Sequence, residues 1–284
     1  MHLITWNIQW GRGADGKVDP ARIIRACRDM ADFDVLCLQE VARHFPGLAG
    51  SGGADVFGRL AAALPGFTAI EAIAVDVPVP AGKRAQFGEL ILSRRPVLQV
   101  LRHLLPWPGD PNVPTMPRVA LEIVIAGERG PLRVTTTHLE YYSVAQRTAQ
   151  VERLRALQAE AASHAPDVTR PDKEGGPFAA VPRPRSGVLT GDFNLPPESA
   201  LYARLQDPIG DDVPAYRDAW RTRHPGAPHA PTIGLFDKQQ WPGEPYCCDF
   251  IFVTEDLTDR VEDVVVNLDT DASDHQPVLL VLAD

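Results

Sequence analysis

Long apolar runs are missing from this 284-residue chain. No stretch approaches the roughly 20 apolar residues that a membrane-crossing helix needs, so no span is expected. A charged leader followed by an apolar segment and a small-residue cleavage site is also missing. Met1 runs almost directly into an apolar stretch, and neither a signal peptide nor a pro-segment is expected. Cysteine is scarce. Cys27, Cys37, Cys247 and Cys248 have largely apolar neighbours and lack zinc-type spacing with histidine. The expectation is reduced, mostly buried thiols in a cytoplasmic protein. Cys247 and Cys248, as neighbours on a strand, point to opposite faces and are not expected to bond to each other. Basic residues are in the minority, with 28 Lys plus Arg against 37 Asp plus Glu and a net charge of −9. Generic duplex binders usually present a basic face, so tight non-specific nucleic-acid binding is disfavoured. A metal can still neutralise phosphate locally, whatever the global charge. No internal repeat is visible.

What is present is an ordinary globular balance, 44% hydrophobic and 23% charged, in a chain at the upper limit for one domain. A single domain over residues 1–284 is expected, with a Pro-rich loop insertion near 166–184. Strands are expected at 3–8, 35–38, 67–75, 87–93, 96–103, 119–125, 132–137, 248–253, 261–266 and 278–282. Asp19 is placed to cap a helix with Pro20 at its first position. Further helices are expected at 56–64, 144–163 and 198–205. In the longest, Val144, Arg147, Val151, Leu154, Leu157 and Ala161 are spaced for one face. Residues 105–117 hold five prolines and form no regular element; residues 224–241 read as irregular. Strands outnumber helices and arrive both in hairpins and around helices. That pattern predicts an α/β fold, a four-layered α/β sandwich of two packed mixed β-sheets flanked by helices.

The chemistry-bearing residues sit at the ends of apolar runs. Trp6-Asn7-Ile8-Gln9 ends the first strand, where Asn7 can donate to a phosphate oxygen, support a metal-bound water, or simply make a turn. Gln39-Glu40 ends the second. A carboxylate after Val35-Leu36-Cys37-Leu38 is costly unless a cation sits beside it or solvent reaches it. Thr136-Thr137-His138 ends another strand, and His138 suits a phosphate contact or, protonated, a general acid. The remaining histidines, His2, His44, His103, His164, His224 and His229, read as surface or loop residues.

Gly191-Asp192-Phe193-Asn194 follows Val188-Leu189-Thr190. Asp192 can orient or deprotonate a water while Asn194 holds a non-bridging oxygen; an Asp/Asn turn is the alternative. Asp249 lies inside the apolar segment 246–253 and wants a buried partner, for which His275 is the best unassigned candidate. An Asp that fixes an imidazole tautomer and stabilises its charged form is a known device. Ser273-Asp274-His275 supplies that imidazole and one more metal-type carboxylate. Two neighbours cannot point the same way from a regular strand, so both belong on the loop before Val278. Oxygen ligands of this kind suit a hard divalent cation.

Taken together, Trp6-Asn7-Ile8-Gln9, Gln39-Glu40, Ile91-Leu92-Ser93-Arg94, Thr137-His138-Leu139, Gly191-Asp192-Phe193-Asn194, Asp249-Phe250-Ile251-Phe252 and Ser273-Asp274-His275-Gln276-Pro277 resemble, in order, the motifs of the endonuclease/exonuclease/phosphatase family. That family includes abasic-site endonucleases, pancreatic-type deoxyribonucleases, neutral sphingomyelinases and inositol-polyphosphate 5-phosphatases. The resemblance covers Thr5 to Pro277. It implies a Mg²⁺-dependent phosphoesterase, with Mn²⁺ a substitute, in which Glu40 holds the metal with Asp274 and Asn7 nearby. It further implies that Asp192 positions or activates the attacking water and that Asn194 and His138 hold or polarise the phosphate. His275, oriented by Asp249, contacts the scissile phosphate, and Arg118 adds a phosphate contact. Some relatives carry Asp where this chain has Gln9. Abasic-site enzymes carry Tyr where His138 stands, which tilts the chain toward the deoxyribonuclease- and phosphodiesterase-like branches. The expected partner is a phosphate ester, nucleic acid being one candidate, and the expected state is a monomer. The expected reaction is phosphodiester hydrolysis; a phosphomonoesterase on a small metabolite or lipid headgroup is the alternative, and a catalytically silent binding module the third reading.

Overall fold

The structure, a computed structural model, describes residues 1–164 and 175–284. Two six-stranded mixed sheets face each other. The first has the order β11 (Val261–Val266), β12 (Val278–Leu282), β1 (His2–Asn7), β2 (Val35–Arg43), β4 (Arg84–Ser93), β3 (Thr68–Pro78). The second runs β5 (Val97–Leu104), β6 (Val119–Ile125), β7 (Leu132–His138), β8 (Gly187–Asp192), β10 (Asp249–Thr254), β9 (Tyr216–Asp218). Burying apolar faces on both sides of each sheet needs four layers. Inward residues of both sheets, among them Leu3, Val35, Ile91, Leu121, Val134, Ile251 and Leu280, form the central core. Helices α1 (Pro20–Met30) and α2 (Val56–Ala63) cover the outer face of the first sheet through Ile23, Cys27, Phe57 and Leu60. Helices α3 (Val144–Ser163) and α4 (Ala200–Gln206) cover the second through Val151, Leu154, Tyr202 and Leu205. A short α5 (Ala219–Arg223) follows β9. The four-layered sandwich expected from the sequence is the fold observed.

Local chemistry explains the element boundaries. Asp19 caps α1 through a bond from the Ala21 amide at 3.0 Å, and Pro20 occupies the first turn, as the sequence predicts. All four cysteines are buried and free. Among the described residues, no helix is long and apolar enough to cross a membrane.

Four expectations are corrected. Strand β2 does not end at Gln39-Glu40 but continues to Arg43, with a break in register between Leu38 and Val41. Glu40 sits in that bulge at φ 57°. Val144 begins α3 but is 61% exposed, whereas Gln146, Gln150, Arg155 and Gln158 are buried. Of the expected 166–184 loop, residues 166–174 lie outside the described residues. Arg183, at its end, is buried against Glu122 at 2.9 Å rather than exposed. His229 is likewise no surface residue, for its ring packs within 2.5 Å of the buried Asp218 carboxylate.

Candidate active site

Strand register brings three site residues into one row. His138 is the parallel partner of Asp192, and Asp249 its antiparallel partner on the other side. Asn7, ending β1 opposite Gln39, faces them from the first sheet. The loop after β11 is fastened over this edge by three contacts. Ser273 Oγ donates to the Asn7 carbonyl at 2.8 Å, Trp6 Nε1 donates to the His275 carbonyl at 2.9 Å, and the Gln276 amide donates to the Thr232 carbonyl at 2.6 Å. Asp274 and His275 therefore lie on a loop, as expected. The result is a cavity of about 500 Å³ whose walls include Glu40, Arg118, His138, Asp192, Asn194, Asp274 and His275.

Gly191 makes the row possible. It adopts φ 141°, and a Cβ there would stand 1.9 Å from the Thr137 carbonyl oxygen on β7. Gly191→Ala is therefore expected to force β7 and β8 apart, separating His138 from Asp192. A drop in thermal midpoint together with a loss of the geometry between these two side chains is the expected outcome, read by unfolding and by the turnover assay given below, since overpacking typically costs about 1–3 kcal/mol. Equal stability and turnover in the Ala variant would show that the strands can part without disturbing the row.

Asn7 is the bridge. Its Nδ2 donates to Asp192 Oδ2 at 2.9 Å and faces Glu40 Oε1 at 3.3 Å, while its Oδ1 accepts from the Gln9 amide at 3.2 Å. Asp192 Oδ1 accepts the Asn194 amide at 2.9 Å. Burial, and then the Asp249 charge, push the Asp192 carboxyl up to about 6, against the pull of His275 and Asn7. Burial, and then Asp274, raise Glu40 to about 7, with Asp192 adding to the rise.

The two imidazoles are set oppositely. Burial alone would lower His275, yet Asp249, 2.8 Å from Nδ1, together with Asp192 holds it well above its ordinary value, so its ring is charged at neutral pH. Asp249 is itself fixed by Thr232, whose Oγ1 donates at 2.6 Å. His275 Nε2 lies 3.7 Å from Asp192 Oδ2. His138 is instead pushed well below its ordinary value by burial, Arg118 and His275. It is neutral, which leaves the protonated, general-acid form of His138 unsupported. Asn194 Nδ2 donates to the Leu139 carbonyl at 2.9 Å and faces His138 Nε2 at 3.0 Å. Asp192 Oδ2 lies 3.4 Å from the same Nε2, while Nδ1 has no partner and lies 3.9 Å from Glu40 Oε1. One Asn194 amide hydrogen is spent on the Leu139 carbonyl, and Asn194 lines the cavity beside His138.

Arg118 is buried, its Nε 3.4 Å from Glu140 Oε2 and its Nη1 without a partner. Asp274 Oδ2 accepts from Gln9 Nε2 at 2.9 Å, Gln240 Nε2 at 3.1 Å and Trp241 Nε1 at 3.0 Å. Thr232, Gln240 and Trp241 were invisible to sequence reasoning because they lie in the irregular stretch 224–241. Glu89 was also missed: an acid inside the apolar strand β4, almost fully buried and facing Arg118, its carboxyl driven far upward by burial. A charged residue inside the run 87–93 was the available signal.

The donor types present suit a hard divalent cation. Glu40, Asp192 and Asp274 line one cavity, and Glu40 is raised mainly by burial and by its carboxylate neighbours. A cation relieves that repulsion. Among the described residues, the one set of three potential ligands whose atoms lie within 4.8 Å of one another is Asp192, Cys248 and His275, and it fits poorly. Burial and Asp249 keep the Cys248 thiol protonated, and His275 Nδ1 is committed to Asp249.

The profile of the Endonuclease/Exonuclease/phosphatase family matches residues 4–275. The chain belongs to this family. Its members are phosphoester hydrolases. Solved structures agree on the fold. An endonuclease/exonuclease/phosphatase from Beutenbergia cavernae DSM 12333 is 24% identical, covers 100% of this chain and 72% of its own, and superposes with a TM-score of 0.68. The mannosyl-6-phosphatase of Bacteroides thetaiotaomicron VPI-5482 is 17% identical over 100% of both chains, with a TM-score of 0.66. A 3′ phosphatase from Neisseria bound to product DNA hairpin is 18% identical over 100% of both, with a TM-score of 0.58. At these identities the likeness is one of fold. No curated protein matches the chain.

Proposed function

We propose that this endonuclease/exonuclease/phosphatase family protein hydrolyses a phosphodiester by attack of a water that Asp192 deprotonates, with Mg²⁺ as its cofactor. The observation that carries this reading is the pairing of opposites on one cavity wall: a carboxylate raised to about 6 beside an imidazole held charged by Asp249. A base near neutral pH is both free to accept a proton and strong enough to take it. The water's oxygen forms the new bond to phosphorus, its proton passes to Asp192, and the bond to the leaving oxygen breaks. Charged His275 and Arg118 supply fixed positive charge, and the N–H of neutral His138 a donor, to the phosphate oxygens, the contribution expected to be largest. Glu40, Asp274 and Asn7 would hold Mg²⁺, which when bound adds Lewis-acid stabilisation of charge on the phosphate and leaving oxygens.

The test is the purified protein with Mg²⁺ or Mn²⁺ against bis-(p-nitrophenyl) phosphate, p-nitrophenyl phosphate, supercoiled plasmid, an abasic-site oligonucleotide and phosphoinositides. Diester cleavage lost with EDTA and restored by Mg²⁺ is expected. Cleavage that persists in EDTA would remove the metal from the reading. A second reading, a phosphomonoesterase on a small metabolite, has one observation in its favour. Among the described residues lining the cavity, Arg118 is the only Arg or Lys, and that is enough for one phosphate group but not for a strand of them. Turnover of the monoester alone would establish it.

A further inference from the structure

The same cavity is also walled by rings. Trp10, Tyr141, Tyr142 and Trp241 line it, with Met116 beside them. Two of the chain's five tryptophans and two of its five tyrosines thus share one mouth. Tyr141 and Tyr142 are 41% and 56% exposed. Large rings left in water at the edge of a cavity present a surface for a ligand.

This wall is fixed before any ligand arrives. Trp10 Nε1 donates to the Ala49 carbonyl at 2.9 Å, and Trp241 Nε1 to Asp274 at 3.0 Å. Tyr141 stands edge-on to Trp241 at 6.1 Å and to Tyr142 at 4.8 Å. Arg147 Nη1 donates to the Tyr141 carbonyl at 2.7 Å, and the Tyr142 amide donates to Glu140 Oε1 at 2.9 Å. The two indoles, tied by their Nε1 atoms, lose little entropy on binding, and Tyr141 and Tyr142 are anchored through their backbone beside them. Positive charge on the same walls is sparse, Arg118 and the charged ring of His275. The cavity therefore combines a site for a single phosphate with aromatic rings on the same walls.

We propose that Tyr141, Tyr142 and Trp241 form the subsite for the group esterified to the phosphate, and that this group carries a ring with a flat face, as a nucleoside or a pyranose sugar does. An acyclic alcohol would leave the wall unused, and a long polyanion would meet too few cations. This rests on the phosphoesterase reading of the same cavity and adds the class of leaving group.

The experiment has a binding arm and a turnover arm. Adenosine 5′-phosphate, glucose 6-phosphate and ring-free glycerol 3-phosphate, each also as its methyl diester, are titrated with Mg²⁺ into the Asp192→Asn protein by calorimetry. The same esters are offered to the unmodified protein as substrates. At least one ring ester is expected to bind on the order of tenfold more tightly than its glycerol counterpart, the size of one stacking contact. Whichever of adenosine or glucose leads identifies the ring. Tyr141→Ala and Tyr142→Ala should shrink the ratio of ring to ring-free affinity, whereas Trp241→Phe, which keeps a ring, should retain most of it. Equal affinities for ring and glycerol esters, an unchanged ratio in both Tyr variants, or a single-stranded oligonucleotide that outcompetes every small ester would overturn the proposal. Ring preference without turnover would overturn the hydrolytic reading alone; turnover that ignores the ring would overturn this one alone.

Discussion

Asp192→Asn is expected to lower phosphoester turnover by about 10²–10⁴-fold, the range a positioned base supplies, without unfolding the protein. The substitution keeps the shape of the side chain and removes the carboxylate proposed to accept the water's proton. Its neighbours tolerate it unequally. The Asn194 amide, 2.9 Å from Oδ1, finds an amide oxygen as good an acceptor, but Asn7 Nδ2, 2.9 Å from Oδ2, then faces an NH₂ group. Against that local loss stands the removal of a buried charge that the fold already disfavours, as the rise to about 6 attests. The thermal midpoint at pH 8 should therefore hold or rise while turnover collapses. Initial rates on a diester with Mg²⁺, paired with thermal unfolding of both proteins, decide it. A loss smaller than about tenfold would mean that another group takes the proton.

The strands were legible because each is a short apolar run between turn signals, and because the inward faces of both sheets draw on the same residue types. Asp249 with His275 was legible too: an acid inside an apolar segment must be paired, and few partners were free. Other features are set by tertiary context that leaves no local trace. The bulge at Glu40 needs a non-glycine residue in left-handed conformation, a state that sequence disfavours and packing enforces. It turns the Glu40 carboxylate into the cavity from the middle of a strand, where the apolar run pointed only to an end. Helix α3 misled in another way. Its buried face includes Gln146, Gln150, Arg155 and Gln158, which donate to carbonyls of Pro106, Pro108, Arg185, Arg204, Asp207, Pro208 and Pro214. Irregular, proline-rich segments leave carbonyls without strand partners, and buried carbonyls must be satisfied. A polar helix face is the solution here, and a search for apolar periodicity passes over it. Strand β9, three residues long, is too short for any period to show. The rings of the mouth lay in loops whose composition says nothing of where they meet.

Metal removal and pH should act on stability through Glu40, with Glu40→Gln as the control that isolates it. In the metal-free protein this carboxyl titrates near 7, against 4.5 when unfolded. A raised acid favours the folded state while protonated. That contribution is complete below about pH 4.5 and is lost as pH climbs to about 7, because the folded state must then carry a charge that burial, Asp274 and Asp192 oppose. The ceiling is on the order of 3 kcal/mol, less what solvent screens, since 21% of the side chain is exposed. Metal-free protein should thus lose thermal midpoint between pH 5 and 8. Mg²⁺ should restore it, and more so at the higher pH, because a cation competes with the proton for the same oxygens and stabilises whichever state it binds. Glu40→Gln removes both effects at once. The metal-free variant should be at least as stable as the parent at pH 8, with a flatter pH profile. Its Mg²⁺ affinity by calorimetry should fall by more than the roughly 10–100-fold that outer-shell changes cost. Turnover should fall with it at any fixed Mg²⁺ below saturation. A variant that keeps the parent's Mg²⁺ affinity would move the cation off Glu40 and leave Asp192 and Asp274 to hold it. A parent whose midpoint is flat from pH 5 to 8 without metal would mean that the crowded carboxylates find some other relief.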